Sequence, residues 1–171
     1  GEEIIHDIIN TIQKFKLTSN FKRRELLVAL ALIPGVYVPQ FYETTYLEDG
    51  TVAFTEPIIA EAPKLVNKRI VGKLPPPPIK FIVPNIDIVH NRVSVEIMRG
   101  CTRGCRFCHA GMITRPVRER SVDEVLAAAE EALKNTGFEE LALLSLSSSD
   151  YSNVLELVTR VGEKFSGTHL K

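Results

Sequence analysis

All three cysteines of this chain fall in one run, Cys101-Thr102-Arg103-Gly104-Cys105-Arg106-Phe107-Cys108. This concentration constrains the fold more than any other feature. Thiols spaced C-x3-C-x2-C must be delivered to one place by an ordered element and carried on a loop that can wrap a centre. Core packing needs no such spacing. Arg99, Arg103 and Arg106 flank the run, and cationic neighbours favour the thiolate form that ligates metal. Gly100 and Gly104 allow the backbone to curl there and present N–H groups to sulfur. Iron–sulfur clusters are usually held by four cysteines. Three thiolates on a four-iron cluster therefore leave one iron with an open position, as a catalytic zinc keeps one open.

Other uses of the cysteines follow from the same residues. A disulfide framework fits poorly, because the count is odd and no signal peptide precedes it. A zinc module would need His109 or His90 as fourth ligand. His109 directly follows Cys108, so both would have to reach one ion from adjacent positions, and paired C-x2-C knuckles are absent. Both histidines also read as ordinary surface residues. A simple electron-transfer iron–sulfur protein would call for a fourth cysteine. The zinc and electron-transfer readings stay open beside the cluster with an open iron.

Hydrophobic residues make up 44% of the chain and charged residues 25%, which is ordinary globular composition. No apolar run is long enough to span a membrane. Lys and Arg (21) balance Asp and Glu (21), so there is no nucleic-acid signature in the net charge. Clustered reduced cysteines suit a cytoplasmic location.

The periodicity predicts two helices before Pro34-Gly35, with Ile4, Ile5, Ile8, Ile9 and Ile12 on one face of the first and Leu26, Leu27, Leu30 and Ala31 on the second. Val36 to Leu47 and Thr51 to Phe54 read as a hairpin around Glu48-Asp49-Gly50, with Tyr37, Phe41, Tyr42 and Tyr46 as strand packing rather than a base-stacking surface. A further strand is expected at Leu65 to Val71. Pro75 to Pro78 form a stiff segment and the best domain boundary. Beyond it, Arg92 to Met98 reads as a strand that ends at the cysteine loop. Ser121, with Glu124 three positions on, opens a helix. Its stripe is Val122, Val125, Leu126, Ala129 and Leu133, and Gly137 closes it. Glu140 to Leu146 is a second strand. Asp150 is expected to cap a second helix that turns Val154, Leu157, Val158 and Val161 inward. Strand–helix–strand–helix without a hairpin signal implies parallel pairing in an α/β fold.

Alternation then assigns faces. Val93, Val95 and Ile97 should lie under the helices, with Ser94, Glu96 and Met98 on the other face. On the second strand, Ala142, Leu144 and Leu146 should lie under the helices, opposite Leu141, Leu143, Ser145 and Ser147. Parallel barrels place their sites at the C-terminal strand ends, where the cysteine loop and Ser145 to Ser149 both fall. Glu96 reads equally as a polar group facing the barrel interior and as a salt-bridge partner for a basic residue. Arg115, Arg118 and Arg120 read as a solvated basic loop beside Glu119 rather than an anion site.

The C-x3-C-x2-C run with Phe107 before its last cysteine resembles the cluster motif of the radical S-adenosylmethionine (radical SAM) enzymes. The wider stretch from Val93 through Ala110-Gly111-Met112 to Arg115-Pro116-Val117-Arg118 is similar to the subgroup that joins a B12-binding domain to a radical SAM domain. The resemblance implies a [4Fe–4S] cluster on Cys101, Cys105 and Cys108, with S-adenosylmethionine bound at the open iron. It implies Phe107, Ser145, Ser147 and Ser148 as cofactor-contacting residues, although serines stand where the family often has a Gly-Gly-Glu-like motif. It also implies an oxygen-sensitive enzyme, a one-electron donor of flavodoxin or ferredoxin type, and a substrate defined by later strands. On this reading residues 1–74 are the tail of an upstream Rossmann-like, cobalamin-binding-like domain plus a β connector. Residues 75–90 are a proline-rich lead-in, and 91–171 are the first two βα units of a partial (βα) barrel. Room for only about two βα units after the cysteines, at roughly 30 residues each, leads us to expect part of a longer protein, interrupted in its first and last domains. No Asp-x-His-x-x-Gly signature occurs, so cobalamin binding is not supported for this stretch.

Overall fold

The computed structural model describes residues 3–18, 20–86 and 88–167. The chain divides into two compact units, Gly1–Val71 and Gly72–Lys171. Among the described residues, no helix is long and apolar enough to cross a membrane.

In the first unit, α1 (Ile4–Lys16) and α2 (Arg23–Ala31) form where the isoleucine and leucine spacing places them. Glu25 accepts a hydrogen bond from the Lys22 backbone N–H at 3.3 Å and ties the start of α2. A 3-10 turn over Pro39–Phe41 delays the hairpin. Its strands are β1 (Tyr42–Tyr46) and β2 (Val52–Pro57), paired antiparallel. The expected start at Val36 is therefore late by six residues, because Pro39 has no N–H to give a ladder. Ala31, Val38, Phe41 and Ala62 form a small core. Tyr37 and Tyr42 stack on one another with ring centroids 4.6 Å apart. The strand expected over Leu65 to Val71 is absent; that stretch is irregular and exposes Leu65 and Ile70. It has β-branched residues, but among the described residues no strand pairs with it to complete a ladder.

The second unit is mixed α/β. Its elements are β3 (Val93–Glu96), β4 (Met98–Arg99), α3 (His109–Ile113), β5 (Arg118–Glu119), α4 (Val122–Thr136), β6 (Leu141–Leu144) and α5 (Val154–Phe165). Strands β3 and β6 pair in parallel across the α4 crossover, as the element order implied. Ser121 Oγ accepts the Glu124 N–H at 3.2 Å, and Gly137 ends α4 in the left-handed region. One core gathers Val93, Val95, Ile97 and Met98 with Val122, Val125, Leu126, Ala128, Ala129 and Ala132, together with Tyr151 and Leu157. The lead-in after the prolines belongs to this unit: Ile79 and Phe81 pack on that core, and Asn135 Nδ2 donates to the Ile79 carbonyl at 2.9 Å.

Three expectations need correction here. The first strand is interrupted at Ile97, and Met98 is buried in the same core as Val93 and Val95 rather than on the opposite face. The face assignment of the second strand is reversed. The register pairs Val93 with Leu141 and Val95 with Leu143, so Leu141 and Leu143 pack toward the helices, while Leu144 and Leu146 are about half exposed. Leu-Ala-Leu-Leu is apolar at both parities, so alternation alone cannot set its phase. Burying the two leucines instead of Ala142 removes more apolar area from water. Finally, Val158 is exposed on α5, whose buried stripe runs Val154, Leu157, Val161 and Phe165.

Candidate functional site

The cysteine loop is held at its base by short-range backbone geometry. Strand β4 pairs antiparallel with β5, Met98 opposite Glu119 and Arg99 opposite Arg118. Residues 100–117 therefore leave and return through a two-residue ribbon. Gly100, at φ +98°, makes the neck possible. A Cβ at this position would meet the Pro116 carbonyl oxygen at 2.7 Å, the Thr114 carbonyl oxygen at 3.0 Å and Val117 Cα at 3.0 Å. The Arg115–Pro116 peptide is cis.

Within the loop the Cys108 N–H donates to the Cys105 carbonyl at 3.0 Å, closing a turn. Two sulfurs accept backbone N–H groups. Arg103 N–H donates to Cys101 Sγ at 3.4 Å, and Gly111 N–H donates to Cys108 Sγ at 3.3 Å, with Cys108 acting as the N-cap of α3. Cys101 is buried, Cys108 half-buried and Cys105 exposed. Such N–H···S contacts stabilise sulfur that carries negative charge. Among the described residues, no three His, Cys, Asp or Glu side chains gather closely enough to hold one metal ion. A four-iron cluster takes each cysteine on a different iron, so its thiolates need not converge on a point as the ligands of a single ion must. Three thiols on one glycine-hinged loop, two of them receiving N–H bonds, match the donor chemistry of such a cluster.

Charged groups surround the loop. Arg103 grips the Asp150 carboxylate with two donors, Nε to Oδ2 at 2.6 Å and Nη2 to Oδ1. Arg103 and Ser147 together hold the Asp150 carboxyl down at about 2. The Arg103 guanidinium is raised in turn, first by Asp150, with the charges of Cys101 and Cys105 contributing. Glu96 is a salt-bridge partner: Arg99 reaches it through Nε at 2.9 Å and Nη2 at 2.8 Å. Burial, together with the charges of Arg118 and Arg120, lowers Arg99.

Arg120 departs from the expectation of a solvated loop. It is only 4% exposed. Its guanidinium donates to the Glu96 carbonyl at 2.8 Å, the Pro75 carbonyl at 2.6 Å, Glu124 Oε1 at 2.8 Å and Glu96 Oε2 at 3.3 Å. Tyr151, also buried, donates its OH to the Arg120 carbonyl at 2.8 Å. Arg120 thus ties the proline segment, the end of β3 and α4 together. No local sequence signal separates it from Arg115 or Arg118.

The serines expected at the site are occupied with one another. Ser145 Oγ and Ser148 Oγ lie 2.8 Å apart, Ser148 Oγ donates to the Leu143 carbonyl at 3.4 Å, and Ser147 Oγ donates to Asp150 Oδ2 at 2.7 Å. Asp150 closes a 3-10 turn over Ser148–Asp150 and does not cap α5, whose N-cap is Asn153. Ser147 is brought to the cysteine loop through Asp150 and Arg103. Phe107 is 93% exposed. His109 is exposed at the start of α3, and Arg92 Nη2 lies 3.1 Å from His90 Nδ1, so that ring faces a cation.

A parallel strand pair that delivers a three-cysteine loop is joined by a direct comparison. The model of the radical SAM superfamily matches residues 95–170. Residues 95–170 are a radical SAM superfamily segment. An uncharacterized protein of Methanocaldococcus jannaschii is 43% identical over 63 residues, 37% of this chain and 14% of its own length. Ribosomal protein uS12 methylthiotransferase RimO of Francisella philomiragia is 30% identical over 132 residues, 67% of this chain and 28% of that protein. The protein of the same name from Francisella tularensis subsp. novicida is 28% identical over 132 residues, again 67% and 28%. The chain thus spans 14% to 28% of the length of these curated relatives. No solved structure matches it.

Proposed function

We propose that the protein is a radical SAM enzyme in which Cys101, Cys105 and Cys108 hold a [4Fe–4S] cluster. The observation that carries this reading is the ribbon-closed loop, at the C-terminal end of β3, whose Cys101 and Cys108 sulfurs accept backbone N–H groups. When bound, the cluster would supply one electron for cleavage of S-adenosylmethionine to methionine and a 5′-deoxyadenosyl radical, which takes a hydrogen atom from substrate. The chain's own residues hold and orient. Gly100 allows the neck, Arg103 places a fixed cation beside Cys101 and Cys105, and Arg99 neutralises Glu96. Phe107 is exposed where a cofactor can cover it, and Ser145, Ser147 and Ser148 line the neighbouring strand end. Strands β3 and β6 are on this view the first two of a partial (βα) barrel, with residues 1–74 the tail of a cobalamin-binding-like domain and its β connector. A flavodoxin- or ferredoxin-type donor would provide the electron. The substrate belongs to residues beyond these two βα units.

The deciding experiment is anaerobic reconstitution with iron and sulfide, followed by EPR of the reduced protein with and without S-adenosylmethionine. A reduced-cluster signal that changes on adding the cofactor supports the proposal, and Cys105→Ala should abolish iron uptake. Stoichiometric zinc without iron would overturn it in favour of a structural metal module. A cluster signal indifferent to the cofactor would overturn it in favour of simple electron transfer.

A further inference from the structure

We propose that Asp150 is a positioning residue for the cysteine loop, acting through Arg103 to orient Cys101 and Cys105 for the group they bind. The inference rests on the cluster reading above. Arg103 serves the loop twice: its backbone N–H donates to Cys101 Sγ, and its side chain leaves the loop to meet the carboxylate of Asp150 with two donors. Asp150 is itself anchored on three sides. Ser147 Oγ donates to its Oδ2 at 2.7 Å, its own N–H donates to the Ser147 carbonyl at 3.0 Å, and the next residue is the buried Tyr151. Tyr151 in turn holds the Arg120 carbonyl, at the return end of the ribbon that closes the loop. The loop is therefore fastened at its base by β4 and β5 and at its crest by a two-point charge pair to the 3-10 turn that follows β6. Two-point pairing fixes the orientation of a guanidinium as well as its distance. Asp150 reaches the cysteines through Arg103, whose backbone N–H donates to Cys101 Sγ.

The test uses Arg103→Gln, Asp150→Asn and the double variant, read first as the alkylation rate of Cys101 in cluster-free protein, followed by mass spectrometry. Releasing the crest should speed alkylation of this buried thiol about fivefold, the scale of a well-aligned surface charge pair. The double variant should be no faster than either single one, because partners in one contact are not additive. In cluster-loaded protein, the EPR line shape of the reduced form should change in Asp150→Asn and return in Asp150→Glu. Unchanged alkylation in both single variants, multiplicative rates in the double variant, or superimposable EPR spectra would each overturn the proposal. Wild-type protein that takes up no iron would sink the cluster reading instead, while the alkylation cycle would still decide the clamp.

Discussion

The neck of the cysteine loop gives the sharpest prediction. Gly100→Ala adds one methyl group where φ is +98° and three backbone atoms stand within 3.0 Å of the new carbon. The left-handed backbone alone costs a non-glycine residue about 1–3 kcal/mol. Crowding adds a second cost of about 1–3 kcal/mol, because the atoms met are main chain and cannot rotate away as a side chain would. The sum, about 2–6 kcal/mol, is a large part of the 5–15 kcal/mol typical of a folded protein. Gly137→Ala is the matched control. Its φ is +71°, yet nothing lies within 4 Å of its Cβ position, so it bears only the backbone cost. Urea and thermal unfolding followed by far-UV circular dichroism suit a chain without tryptophan. The Gly100 variant should lose about 5–20 °C in unfolding temperature, at roughly 2–4 °C per kcal/mol, and clearly more than the Gly137 variant. Equal losses would show that the close approach of residues 114–117 to the neck contributes nothing, and would refute the account of how the loop is closed.

Other outcomes follow from the second unit. Arg120→Ala should destabilise the protein by about 3–5 kcal/mol, since it leaves Glu96 and Glu124 without their buried cation, and Arg120→Lys should not restore it because an ammonium lacks the guanidinium fork; denaturant midpoints of both variants check this. Leu157→Ala, at a fully buried position, should cost about 2–5 kcal/mol, whereas Val158→Ala on the exposed side of the same helix should change the denaturant midpoint very little. Asp150 and Glu130 are both held at about 2, below their ordinary 3.8 and 4.5, the first mainly by Arg103 and the second mainly by Lys164 and then Lys134. Lowered carboxyls make the unfolded chain the better proton binder, so their contribution is complete above the ordinary values and lost as pH falls toward about 2. Urea midpoints taken through that window should fall with acid, and the slope should be shallower in Glu130→Gln; an unchanged slope would remove these pairs from the account.

Much of the site was legible because it is local. The cysteine spacing, the glycine at the neck, the Ser121 cap and the Gly137 stop each depend on residues within a few positions of one another. The α4 stripe was legible for the same reason, since helical periodicity is written in consecutive residues. Where both alternation phases were apolar, as in Leu141 to Leu144, the pattern carried no choice, and pairing with Val93 and Val95 made it. Asp150 looked like a helix cap because capping is a local habit of aspartate. Its actual partner is Arg103, 47 residues earlier. Arg120 is the same lesson in reverse: a basic residue in a basic loop, buried because a carbonyl from Pro75 and carboxylates from β3 and α4 surround it.

The amino-acid sequence by itself therefore determined which residues could hold a metal centre and which element delivers them, because thiol chemistry, backbone freedom at glycine and helical or strand periodicity are properties of short stretches. Only the tertiary structure decided which face of β6 is buried, which arginine is a structural hub, and which carboxylate holds the crest of the cysteine loop. Those outcomes depend on groups distant in the chain competing for the same space and charge, and that competition is resolved only once the chain has folded.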